Sequence, residues 1–132
     1  MTRGRGDTGK RRCGGRVQGF DVGRFEDFAV LALADQKGAV RTREISGNEV
    51  RPEDVILFLK DAWREGFGGG KPGVLMVDGG AVNYHELVLR FLHQNDVILR
   101  QITTADQARQ KWWPERVFQK LRRAGTPAPP IS

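Results

Sequence analysis

At 132 residues the chain can bury one real core and cannot hold two independent ones. Hydrophobic residues at 39% and charged residues at 29% are ordinary for a soluble globular protein; no apolar run approaches a membrane span, and the Arg-rich start lacks the apolar stretch of a signal peptide. The net charge is +6, and Cys13 stands alone, which excludes a disulfide framework and predicts a reducing, intracellular setting, cytoplasmic or nucleoid/nuclear.

Residues 1–16 are rich in Gly and Arg and nearly devoid of apolar side chains. Such a segment cannot offset its ordering entropy, so a disordered basic arm is expected, or else a linker remnant. Residues 1–18 carry six Lys/Arg against Asp7, and residues 105–124 carry six against Asp106 and Glu115; the middle of the chain is mildly acidic. Basic blocks at both ends predict a polyanionic partner, because each Lys or Arg near a phosphate releases condensed counterions. A solubilising tail and a solvated helix face are the plain alternative.

Between the basic ends, 17–23, about 26–35 and about 39–46 read as three strands, with Gln36-Lys37-Gly38 as the hairpin turn between the second and third. Pro52, with Glu53 and Asp54 in the first turn, opens a helix that should run to about Glu65 and be stopped by Gly66. Its expected core face is Val55, Ile56, Leu59, Ala62 and Trp63. Gly68-Gly69-Gly70 precedes a strand and lacks a Gly-Lys-Ser/Thr ending, so it reads as a loop, not a phosphate cradle. Residues 74–77 form a fourth strand. Asn83, with Glu86 three residues on, predicts a capped helix over about 84–94. Val97-Ile98-Leu99 is a fifth strand, 103–113 a loop, and Pro114 opens a last, basic helix reaching Arg123. Residues 125–132 read as a Pro-rich linker or tail, as if a further domain had followed.

The order β-β-β-α-β-α-β-α suits an α/β fold with a mixed five-stranded sheet flanked by helices, spanning 17–124. Three acids then stand out. Asp21 lies inside the first strand, Asp78 ends the fourth, and Glu115 starts the last helix. Were the first and fourth strands parallel neighbours, Asp21 and Asp78 would meet. A turn cap at Asp21, a turn-former before Gly79-Gly80 at Asp78, and a dipole-favoured helix start at Glu115 are the structural alternatives. Asp35 is a rival strand-end acid, better explained by the hairpin.

From about Gln18 to Arg123 the chain resembles the ribonuclease H-like catalytic core of retroviral-type integrases and DDE transposases. Asp21-Val22-Gly23-Arg24-Phe25-Glu26 with the apolar strand after it resembles that family's first hairpin. Val77-Asp78-Gly79-Gly80 resembles its second-carboxylate motif, usually Asp-Asn-Gly, and Lys111 through Glu115 to Leu121-Arg122-Arg123 resembles its last helix. The interval between Asp78 and Glu115 is close to the one that names a branch of the family. Gly79 in place of Asn, Gly23 in place of a polar residue, and Trp112-Trp113 in place of a Gln-Gly-rich approach to the Glu are departures.

The resemblance implies a polynucleotidyl transferase that cleaves and joins DNA with two Mg²⁺ or Mn²⁺ ions on Asp21, Asp78 and Glu115, Asp21 bridging the ions. Hard cations select such oxygen ligands, so neither His85 nor His93 is needed. Lys111, Arg116, Lys120 and Arg123 are the expected DNA contacts, with Arg109 and Arg122 in reserve. Residues 116, 120 and 123 share a helix face and would hold phosphates without reading sequence. The resemblance also implies a homo-oligomer; nothing points to a membrane partner. Two other readings stay open: a ribonuclease H-like nuclease or resolvase, drawing a further carboxylate from Glu53, Asp54 or Asp61, and a non-catalytic nucleic-acid-binding or assembly domain of the same fold.

Overall fold

The computed structural model describes residues 16–103, Asn48 excepted. In chain order they form β1 (Val17–Arg24), β2 (Phe28–Asp35), β3 (Val40–Ser46), α1 (Pro52–Arg64), β4 (Val74–Val77), α2 (Glu86–Gln94) and β5 (Ile98–Gln101), with short 3-10 turns at Phe67–Gly69 and Ala81–Tyr84. The expected order is met as far as β5. The N-terminal arm, the last helix with Glu115, and the Pro-rich tail lie outside the described residues.

The five strands make one sheet in the order β3-β2-β1-β4-β5. β1 pairs antiparallel with β2, and β2 with β3; β1 pairs parallel with β4, and β4 with β5. Two hairpin connections therefore build one half, and helical crossovers build the other, as parallel pairs require. Asp35 turns the chain into β3: its Oδ1 accepts from the backbone N–H of Lys37 and of Ala39, each at 2.9 Å, and Gly38 sits at φ 96°. That confirms Asp35 as a hairpin residue.

Alternation assigns the two faces of the sheet. Phe20 of β1, Ala29, Leu31 and Leu33 of β2, and Leu75 and Val77 of β4 join the main core with α1 and α2. α1 buries Val55, Phe58, Leu59, Ala62 and Trp63, an apolar stripe at i, i+3, i+4, i+7 and i+8. Phe58 takes the place expected for Ile56, which packs half-buried at the margin. The opposite face carries two smaller apolar groups, Phe28, Val30 and Ala32 on one side and Val74, Met76 and Ile102 on the other. Asp21, paired with Ala32 across β1 and β2, falls on that second face between them.

The glycine-rich loop is tied to the start of β1. Trp63 Nε1 donates to Gln18 Oε1 at 2.8 Å, and Gln18 Nε2 donates to the carbonyls of Phe67 (3.3 Å) and Gly70 (3.0 Å). Arg16 donates to the carbonyls of Gly68 and Lys71. Gly68, Gly69 and Gly70 all have positive φ, and a Cβ on Gly68 would lie 2.7 Å from Gln18 Nε2. The loop binds its own chain, so reading it as other than a phosphate cradle is upheld.

Candidate active site

Local sequence places Asp21 and Asp78 by different means. β1 reads Val17-Gln18-Gly19-Phe20-Asp21-Val22-Gly23-Arg24, so on the face that carries Asp21 both nearest neighbours along the strand are glycines, Gly19 and Gly23. No side chain of β1 rises beside the carboxylate. Asp21 is buried at 3% exposure, and its Oδ1 accepts from the N–H of Val22 at 2.9 Å.

Asp78 follows the last residue of β4. The parallel ladder sets Val17 opposite Val74, Gln18 opposite Leu75, Gly19 opposite Met76 and Phe20 opposite Val77. The next residue on each chain is Asp21 and Asp78. The parallel pairing that the sequence required for the two acids to meet is therefore present, and it sets them one register step past the end of the ladder. In open α/β sheets this region, outside the carboxyl ends of parallel strands, is where ligands bind.

Asp78 turns the chain out of the sheet. Its Oδ1 accepts from the N–H of Gly80 at 2.9 Å, an Asx turn, and from Asn83 Nδ2 at 3.3 Å. Asn83 is 2% exposed and belongs to the 3-10 turn Ala81–Tyr84. This corrects the helix start expected from sequence. Asn83 does not cap α2; His85 does, its Nδ1 accepting from the N–H of Leu87 at 3.0 Å, and α2 begins at Glu86. His85 is exposed, and capping α2 is the part it plays in the described fold. Nothing in local sequence distinguishes an Asn that caps from one that reaches back five residues, so Asn83 was legible only through tertiary structure.

The rim beside Asp78 is polar. Tyr84 donates its hydroxyl proton to Gln101 Oε1 at 2.9 Å, and a Cβ on Gly79 would lie 3.1 Å from Gln101 Nε2. Gly79 therefore suits the close approach of the β5 end, a physical reason for the departure from Asn at that position.

The acids of α1 serve other purposes. Asp54 Oδ2 accepts from the N–H of Arg51 at 2.9 Å at the helix start. Asp61 accepts from Arg43 of β3 at 3.0 Å and pairs with Arg64. The Arg43 hydrogen bond, aided by the nearby charges of Arg64, Arg43 and Arg41, holds the Asp61 carboxyl below the ordinary Asp range against partial desolvation. Arg43 also lies 5.6 Å over the Phe58 ring. Among the described residues no three His, Cys, Asp or Glu side chains are grouped to hold a metal, so neither Glu53, Asp54 nor Asp61 joins Asp21 and Asp78. Glu115, Lys111, Arg116, Lys120 and Arg123 lie outside the described residues.

A mixed sheet of this order, with two neighbouring carboxylates at its parallel centre and helices packed on it, defines a ribonuclease H-like fold. Within that class it is the fold of retroviral integrase catalytic cores. The chain is similar to a chain of the simian T-cell lymphotropic virus intasome solved by cryoEM in complex with PP2A regulatory subunit B56 gamma, at 13% identity and a TM-score of 0.66, over 87% of this chain and 43% of that one. It is similar also to the crystal structure of the BIV integrase catalytic core domain, at 11% identity and a TM-score of 0.60, over 81% of this chain and 64% of that one. It thus spans less than two thirds of either protein's length. No protein-family model and no curated protein sequence matches it. No described helix is long and apolar enough to cross a membrane.

Proposed function

We propose that the chain is the catalytic core of a metal-dependent polynucleotidyl transferase that cleaves DNA strands and joins them to new partners. The observation that carries this reading is the Asp21–Asp78 register: two carboxylates on adjacent parallel strands of an integrase-like fold. Carboxylates are the donors that hard divalent cations select, and among the described residues Asp78 Oδ2 makes no hydrogen bond while Oδ1 makes two. The pair fits Mg²⁺ or Mn²⁺, with Glu115 as the third ligand.

Bound ions of this kind activate an attacking oxygen and stabilise a leaving one. The chain's own residues do the rest. The stiff centre of the sheet fixes Asp21, and the Asx turn fixes Asp78. The glycines on either side of Asp21 keep side chains of β1 from crowding its carboxylate. Lys111, Arg116, Lys120 and Arg123 would bind phosphates and position DNA without selecting a sequence. The likeness to an intasome chain and to an integrase catalytic core domain supports DNA and further copies of this chain as partners.

Incubating the protein with a duplex oligonucleotide and Mn²⁺ tests the reading. The expected result is nicked product together with longer, joined product, both absent in Asp78→Asn. Nicked product alone would place the chain with the nucleases and resolvases instead. No product of either kind, with DNA still bound, would make it a non-catalytic binding domain.

A further inference from the structure

We infer that Asn83 is a positioning residue that holds the Asp78 carboxylate for its cation, and that the fold keeps it at a cost in stability. This deepens the metal-dependent reading and rests on it. Asn83 is almost fully buried, yet only one end of its amide is satisfied: Nδ2 donates to Asp78 Oδ1 at 3.3 Å, while Oδ1 has no hydrogen-bond partner among the described residues. A buried carbonyl oxygen without a donor is a rare and costly feature in a native fold. Rotating the amide by half a turn would not remove the problem, because it would set Asn83 Oδ1 against the negatively charged Asp78 Oδ1. The orientation is therefore dictated by the carboxylate, and the orphaned oxygen is its consequence.

An apolar residue of the same size would remove the orphan and leave Asp78 Oδ1 still bonded to Gly80 N–H. Asn83 thus costs the fold an orphaned oxygen, and what it supplies in return is a second donor to the Asp78 carboxylate. The two donors both address Oδ1, and the rotamer they set leaves Oδ2 without a hydrogen bond among the described residues. Gly80 closes the other side: a Cβ there would lie 3.1 Å from Asp78 Oδ1 and 3.6 Å from Asn83 Nδ2. Partners that orient a ligating carboxylate from outside the ligand shell typically matter by about 10- to 100-fold in metal affinity.

The test compares Mn²⁺ affinity with the melting temperature of the metal-free protein, for wild type, Asn83→Leu and Gly80→Ala. Mn²⁺ binding is read by electron paramagnetic resonance of the free ion. The inference expects Asn83→Leu to weaken Mn²⁺ by about tenfold, with a melting temperature equal to or above wild type. Gly80→Ala, whose backbone at φ −63° accepts alanine, should weaken Mn²⁺ in the same sense. A lower melting temperature with unchanged Mn²⁺ affinity in Asn83→Leu would make Asn83 merely structural and overturn the inference, leaving the metal-dependent reading intact. Should Asn83→Leu fail to fold, unchanged affinity in Gly80→Ala overturns it. Wild-type protein that binds no Mn²⁺ at millimolar concentration overturns both.

Discussion

Asp21 and Asp78 each stand one residue beyond the last rung of the β1–β4 ladder, where Phe20 faces Val77. Two carboxylates side by side on adjacent parallel strands offer the oxygen donors that a hard cation selects. Replacing either with Asn keeps the shape and removes a charge. Asp21→Asn and Asp78→Asn should each lower strand cleavage by more than about 100-fold, beyond the loss of an outer-shell partner, while the metal-free protein stays folded. Paired activity and thermal-denaturation measurements check both halves.

Gln18 is the polar centre of the opposite end of the sheet. It is 1% exposed and joins the Trp63 indole to the carbonyls of Phe67 and Gly70. Gln18→Leu fills the same space but leaves one buried donor and two acceptors unpaired. Urea denaturation should show a loss of at least about 1–3 kcal/mol, the cost of stranding one such group. Activity per folded molecule should be unchanged, since the change lies away from Asp78.

Two glycines separate steric fit from backbone strain. Gly38 and Gly68 both have positive φ, but a Cβ at Gly38 meets nothing within 4 Å, whereas at Gly68 it meets Gln18 Nε2 at 2.7 Å. Gly38→Ala should therefore cost only the left-handed backbone, about 1–2 kcal/mol. Gly68→Ala should cost more, because it also pushes Gln18 off its carbonyl partners. Equal losses in urea denaturation would show that the Gln18 bonds to the loop add no stability.

Asp61 carries a pH signature. Its folded pKa is lowered, chiefly by the Arg43 hydrogen bond, so its contribution to stability is present above the ordinary Asp value. That contribution is lost as pH falls below about 4 toward the lowered folded value. Asp61→Asn should accordingly flatten the acid limb of a stability-versus-pH curve and leave the neutral region with a small change. An acid limb identical to wild type would remove Asp61 from the account.

Much of this architecture was legible in sequence because it rests on local rules. Alternating or continuous apolar runs marked the strands, Pro52 and Gly66 marked the ends of α1, and Asp35 with Gly38 marked a hairpin. The Asp21–Asp78 meeting followed from strand order once parallel pairing was assumed. What local rules missed were contacts across the fold. Asn83 and Glu86 carry the spacing of a capping box, yet the carboxylate of Asp78 competes successfully for the Asn83 amide, and His85 takes the cap. Phe58, by contrast, lies on the i, i+3, i+4, i+7 stripe of α1 and was legible in the helical period, which the expectation of Ile56 missed. The buried Gln18–Trp63 bond has no sequence signal at all, since its partners are 45 residues apart.

Asp21 and Asp78 together are proposed to hold a divalent cation. The most direct measurement is a crystal grown or soaked in millimolar Mn²⁺ and located by anomalous scattering. The account predicts a peak bonded to carboxylate oxygens of both residues, at about 2.0–2.2 Å as for other hard oxygen-bound ions of this size. A map with no manganese at that pair, in crystals that leave the end of the β1–β4 ladder open to solvent, would contradict it.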